Sequence, residues 1–188
     1  GSAAWEVRLD RPWAWRALQH ALLDEGGPCP RPIPILSPGG SGDRLLLGPL
    51  PADWTPPAGG RLRGPAGNGL DPAAIAEKDL LVVGAGDGAA VLRPLLRDPA
   101  ALGGTARKVT ALIGARRRED LPFPDELQAL GAGGAVELRL ALEQPDQEWE
   151  GACGVVPVLF RGLRLDPPAT VAVIAANSEL ENIDSDLR

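Results

Sequence analysis

The chain has 188 residues, enough for one large domain or two small ones with a real core. Its formal net charge is −6, from 25 acidic and 19 basic residues, which argues against a general nucleic-acid or membrane-surface binder. Hydrophobic residues make up 44%, so the 24 glycines and 20 prolines read as stiff loops of a globular chain rather than as disorder.

Cys29 and Cys153 are the two cysteines. They lie far apart with no C-x-x-C, so neither a disulfide framework nor a metal is expected. No signal peptide and no apolar run long enough to span a bilayer is present, and a cytoplasmic location is the default expectation. The leading Gly1-Ser2 and the absence of Met read as a tag remnant.

From the N-terminus, residues 5–9 (Trp-Glu-Val-Arg-Leu) alternate apolar and polar, as in a short strand. Asp10 as cap, Pro12 in the first turn and Gly26-Gly27 at the end suggest a helix between them. Trp15, Leu18 and Leu22 would form its apolar stripe, and His20 would lie on it in a surface or capping role. Residues 28–60 carry nine prolines and read as loop, with short strands possible at Ile33–Leu36 and Leu45–Leu47. Trp5, Trp13, Trp15 and Trp54 would form either a core for this part or an exposed patch that a partner covers.

The texture changes at Leu80. Strand 80–83 runs into Gly84, Gly86 and Gly88 and then a helix over 88–97, broken at Asp98-Pro99. A strand at Lys108–Ile113, a helix at Asp120–Leu130 ended by Gly131, and a strand at Ala135–Leu142 follow. A helix at Gly154–Arg161 and a strand at Thr170–Ala175 complete the series. Alternating strands and helices predict an α/β fold with a doubly wound parallel sheet, preceded by a small loop-rich N-terminal segment. We place a soft boundary near residue 72, dividing the chain into 1–72 and 73–188. The residues from Ala176 onward are polar and acidic, a short helix or a tail.

Three stretches carry chemistry, each with a second reading. The loop Gly84-Ala-Gly-Asp-Gly88 between strand and helix is the arrangement that offers backbone N–H groups to a phosphate. Equally, it is a tight turn that needs its glycines for steric reasons. Asp87 is its flaw: a carboxylate ~5 Å from a pyrophosphate costs about 3 kcal/mol at an effective dielectric near 20. Asp87 would then point away, or cap the helix. Arg116, Arg117 and Arg118 follow a strand, at the carboxyl end where doubly wound sheets bind ligands. They would fork onto nucleotide phosphates, or form a solvated loop paired with Glu119, Asp120, Asp125 and Glu126. Gly64-Pro-Ala-Gly-Asn-Gly69 would shape a crossover touching a flavin, or be an interdomain turn with Asn68 left-handed. Cys153 sits before a predicted helix start with no identifiable base, and reads as an idle or buried thiol.

These stretches resemble a family. Gly64-Pro-Ala-Gly-Asn-Gly-Leu70 is similar to the Gly-Pro-x-Gly-x-Gly-Phe that joins the flavin and nucleotide domains of ferredoxin–NADP reductase-like flavoproteins. Val83–Leu92 is similar to that family's phosphate loop. Gly114-Ala-Arg-Arg-Arg-Glu-Asp-Leu-Pro-Phe-Pro-Asp-Glu-Leu127 is similar to its Gly-x-Arg…Asp-Leu-x-Phe-x-Asp-Glu-Leu segment, the most specific of the four. Trp149–Val156 with Thr170–Ile174 matches the approach to its last nucleotide-binding strand. The resemblance spans roughly residues 64–175 and is closest to the dihydroorotate dehydrogenase electron-transfer subunit and to hydrogenase and sulfide dehydrogenase gamma subunits.

The resemblance implies NAD(P) bound at Gly84, Gly86, Asp87, Gly88 and Arg116. It also implies FAD or FMN near Gly64, Asn68 and Gly69 or on a partner subunit, with a flavoprotein or iron–sulfur partner in a hetero-oligomer. The chain departs from the family in four places. Ala175-Ala176-Asn177 stands for Cys-Gly-Pro, Val91 stands for a proline, no Tyr or flavin signature precedes Gly64, and no cysteine-rich iron–sulfur stretch occurs. The alternative is therefore a degenerate, non-catalytic subunit that binds or assembles within a redox complex.

Overall fold

Side chains at every second residue of the N-terminal stretch (Trp5, Val7 and Leu9, then Trp13 and Trp15) face inward, the period of a strand with one covered side. In the computed structural model, which describes residues 2–51, 53–55, 57, 59–97 and 106–176, they lie on β1, Ser2–Trp15. It pairs antiparallel with β4, Gly40–Pro51, placing Trp5 opposite Leu47, with register shifts after Ala3 and Arg8. The helix expected after Asp10 is not formed. Residues 16–19 turn, with Leu18 at φ 68°, and the chain returns as β2, His20–Asp24, so His20 lies on a strand. The spacing of Trp15, Leu18 and Leu22 mimicked a helical stripe, while the actual signal was the period-two run on either side of Arg11-Pro12.

Within the proline-rich stretch 28–60 the two short strands expected near 33–36 and 45–47 are present, as β3 (Arg31–Pro34) and within the much longer β4, and the described residues outside these two are not strand. β3 and β5, Arg61–Ala66, flank β2 in the order β3-β2-β5. Pro32 and Pro34 are tolerated because β3 is an edge strand, where a missing N–H interrupts no ladder. A single bridge between Ile35 and Leu47 joins the two antiparallel layers. Ile33, Ile35, Leu45 and Leu47 are buried between them, and Trp5, Trp13, Trp15 and Trp54 pack around that core. Trp5 and Trp54 meet edge to face at 5.3 Å, so the tryptophans serve a core.

A single turn, α1 (Pro72–Ile75), capped by Asp71, leads into the parallel sheet. Its strands are β6 (Asp79–Ala85), β7 (Lys108–Ala115), β8 (Glu137–Leu142), β9 (Ala152–Cys153) and β10 (Thr170–Ala176), in the order β10-β6-β7-β8-β9, all parallel. Alternate residues of β6 enter different cores. Leu80 and Val82 join Leu92, Leu95 and Leu127 on one face, and Leu81 and Val83 join Val156 and Leu159 on the other. Burial on both faces is why this strand reads as an unbroken apolar run. The α/β parallel architecture is the one expected from residue 80 onward.

Several boundaries differ. The helix over 88–97 is two short pieces, α2 (Asp87–Val91) and α3 (Arg93–Arg97). Arg118–Asp120 is a 3-10 turn, and α4 (Pro124–Gly133) starts after it and ends at left-handed Gly134 rather than Gly131. The helix expected at 154–161 is a 3-10 segment, Val156–Phe160, headed by Pro157. The break at Asp98-Pro99 and the segment beyond Ala176 lie outside the described residues.

Candidate functional site

Counting outward from the glycine loop, the chain builds β7, β8 and β9 on one side of β6 and then crosses to place β10 on the other. The β6–β10 pair is therefore the switch point of the sheet, and a crevice outside its carboxyl ends is where open α/β sheets hold ligands. Such a crevice is present, about 540 Å³ in volume. Val83, Ala85 and Gly86 of the first strand and its loop, Gly114–Arg116, Glu143, Val155–Pro157, Phe160 and Ile174–Ala176 line it. Its wall is largely apolar: Ile174 is 69% exposed, Val155 43% and Phe160 39%, all large apolar side chains unusually open to solvent.

The three loop glycines have separate reasons. Gly86 sits at φ 54°, ψ −138°, a conformation only glycine adopts at low cost. A Cβ at Gly84 would lie 2.8 Å from Ala89, and one at Gly88 would lie 2.6 Å from the main chain of Ala175 and Ala176. The loop is thus pressed against the end of β10. The N–H of Gly86 donates to the Gly114 carbonyl (3.0 Å), so it is committed to the fold. Steric and conformational need therefore accounts for all three glycines.

Of the three consecutive arginines, two are engaged. Arg117 donates to Gln144 and lies 3.6 Å from Glu119. Arg118 forks onto Asp146 at 2.7 and 2.8 Å and lies over the Trp149 ring. That fork holds the Asp146 carboxyl below its usual range. Arg116 is exposed, lines the crevice, and has no side-chain hydrogen bond or ion pair among the described residues. The expected pairing of this run with Asp125 and Glu126 is not observed. Glu126 pairs with Arg93 and Arg97 instead.

A second cavity, about 640 Å³, lies between the N-terminal strands and the loop. One wall is Ala3, Ala4, Leu36 and Pro49–Pro51, and the other is Gly86, Asp87, Ala90, Arg116 and Glu119–Phe123. Gly86 and Arg116 border both cavities, while Asp87 borders only this cleft. Asp87 thus lies on the side of the loop away from the strand-end crevice. The cap of α2 is Gly86, not Asp87.

Gly64, Asn68 and Gly69 line neither cavity. The Gln19 side chain donates to the Gly67 carbonyl (2.6 Å) and the Leu70 N–H to that of Ala17 (2.8 Å), fastening the segment to the β1–β2 turn. The left-handed residues here are Gly67 (φ 82°) and Gly69 (φ 65°), not Asn68. A Cβ at Gly69 would strike Arg16 at 2.7 Å, so this motif keeps its glycines for close packing. Cys29 and Cys153 are both exposed free thiols.

Glu143, Phe160, Ile174 and the Pro49–Pro51 wall were not anticipated from sequence. Glu143 follows the last residue of β8 and Ile174 lies near the end of β10, so the strand-end rule locates both once the strands are assigned. The Pro49 wall carries no local signal. Among the described residues no group of three or more His, Cys, Asp or Glu could hold a metal ion, and no helix is long and apolar enough to cross a membrane.

No family model matches the chain. A curated protein of Methanothermobacter thermautotrophicus, "Probable dihydroorotate dehydrogenase B (NAD(+)), electron transfer subunit", is 32% identical over 130 residues, covering 60% of this chain and 46% of that protein. The chain thus spans about half the length of this relative. The cytochrome b5 reductase domain of Ulva prolifera nitrate reductase matches over 95% of this chain and 82% of its own, with a TM-score of 0.69 at 12% identity. A cytochrome P450 reductase from Amycolatopsis matches over 91% of this chain and 56% of its own, with a TM-score of 0.70 at 16% identity. The chain has the ferredoxin reductase-like fold, and the curated protein it is similar to in sequence is described as an electron-transfer subunit, the kind its motifs resemble.

Proposed function

We propose that this chain is the pyridine-nucleotide-binding part of an electron-transfer oxidoreductase, working between NAD(P)H and a flavin or iron–sulfur partner in a hetero-oligomer. The observation that carries this reading is the apolar crevice at the switch point, with Arg116 on its rim, its side chain in no hydrogen bond or ion pair among the described residues. A bound reduced nicotinamide supplies two electrons as hydride, and that chemistry is the cofactor's own. The protein's part is positioning. The Gly86 turn and Gly88 against Ala175–Ala176 hold the loop at the strand ends. Arg116 supplies the cation for a nucleotide phosphate. Val155, Phe160 and Ile174 supply apolar surface for a ring.

A flavin fits the cleft in part. Leu36, Pro49, Leu50 and Phe123 offer flat apolar surface to a ring system, while Asp87, Glu119 and Asp120 against Arg116 oppose a phosphate tail. That acidic wall favours a second reading, in which the chain holds no flavin and serves as a binding or assembly subunit. The test is a thermal-shift panel with millimolar NADH, NADPH, FMN and FAD, together with the visible spectrum of the purified protein. The first reading expects a rise in melting temperature with a pyridine nucleotide. No shift with any of the four would refute it.

A further inference from the structure

The Leu121–Leu127 stretch belongs to the most specific motif in the sequence, yet only Leu121, Pro122 and Phe123 of it reach a cavity wall. Glu126 lies in the first turn of α4 and accepts a two-pronged hydrogen bond from Arg93, Nε to Oε2 at 2.9 Å and Nη2 to Oε1 at 2.6 Å. The third nitrogen, Nη1, donates to the Leu36 carbonyl at 2.7 Å, across the boundary between the halves. The guanidinium also lies 4.7 Å from the centre of the Phe123 ring, whose residue holds a left-handed backbone (φ 49°, ψ 56°) as the cap of α4. The Arg93 and Glu126 side chains are only 14% and 25% exposed. Leu36 and Phe123 stand on opposite walls of the 640 Å³ cleft.

We propose that Arg93 is a positioning residue, a latch that ties the two walls of this cleft together and sets its width. One planar cation uses its three nitrogens and a ring face on groups from α4, its cap and the N-terminal half. Such a fork is satisfied at a single separation, because guanidinium geometry is rigid. Lysine, a point charge with rotatable donors, does not reproduce it. The stretch around Glu126 thereby gains a role: through Arg93 it helps set the separation of the cleft walls. Because the latch is a property of the polypeptide, it stands or falls independently of the nucleotide reading.

The chain contains its own ruler, since Cys29 and Cys153 are its two cysteines, are exposed, and lie on the N-terminal half and on β9, outside both cavity linings. Spin labels on both thiols, read by pulsed electron–electron resonance without any ligand, report the separation of the halves. The wild type is expected to give one narrow distance distribution. Glu126→Gln and Arg93→Lys are expected to broaden or shift it while each variant still melts cooperatively. Should Arg93→Lys fail to fold, Glu126→Gln alone decides. Distributions matching the wild type would overturn the latch. A parallel NADH titration separates the two ideas: absence of NADH binding in the wild type counts against the proposed function and leaves the distance result standing.

Discussion

Replacing Gly88 with alanine adds one methyl group at the tightest point between the loop and β10. The new Cβ would lie 2.6 Å from Ala175 C and from Ala176 N and Cα. All three are main-chain atoms of a strand held to β6 along its length, so they do not yield as a side-chain end would. Overpacking costs typically ~1–3 kcal/mol, and a backbone obstacle places this site at about the upper end. For a chain of this size each kcal/mol lowers the midpoint by ~2–4 °C, so the expected loss is roughly 6–12 °C. Differential scanning calorimetry reads this directly, with Gly133→Ala as the matched control. Gly133 ends α4, a Cβ there would meet nothing within 4 Å, and the position should gain about 0.5–1 kcal/mol as alanine. If Gly88→Ala melts within error of the wild type, the close approach of loop and β10 is wrong, and the crevice built on it fails too.

Arg116→Ala should leave the midpoint unchanged and weaken NADH binding by roughly 10- to 100-fold, the loss of one charged hydrogen bond worth ~1.5–3 kcal/mol; an unchanged Kd by fluorescence titration would remove Arg116 from the site. Leu112 is fully buried in the central sheet, and Leu112→Ala should cost about 2–5 kcal/mol in urea denaturation; a loss under ~1 kcal/mol would contradict its packing. Arg107 holds the Asp79 carboxyl below its ordinary range, Lys108 and Arg139 do so for Glu137, Arg118 for Asp146, and the Gly26 N–H with Arg63 for Asp24. Lowered folded-state values mean that the stabilisation is whole above the ordinary carboxylate range and disappears as pH falls through and below it. The midpoint should therefore vary little between neutral pH and about 5 and fall below about 4, less steeply in 1 M salt. A midpoint that rises on acidification would reverse the sign of the argument.

The parallel half was legible because its physics is local. A strand buried on both faces must be apolar throughout, and Leu80–Val83 and Val109–Ile113 are nearly so, with Thr110 the one polar residue. A turn at φ 54°, ψ −138° is open at low cost only to glycine, and Gly86 occupies it. In the antiparallel half the strands expected at residues 5–9 and 45–47 fall on β1 and β4, and that at 33–36 overlaps β3. But β2, β5 and the pairing were hidden because they depend on partners elsewhere in the sequence, Trp5 against Leu47 and Leu22 against Pro32 and Arg63. Without those partners Trp15, Leu18 and Leu22 fit a helix as well as a strand. Ion pairing was hidden for the same reason. Residue order alone shows carboxylates and arginines crowded near residue 120, but not which of them meet. Tertiary structure gave Glu126 to Arg93 and Asp146 to Arg118, and so left Arg116 without an ion pair among the described residues at the strand ends. It also turned Asp87 toward the cleft, because only the packing of α2 against β4, β6 and β10 fixes which side of the loop a side chain occupies.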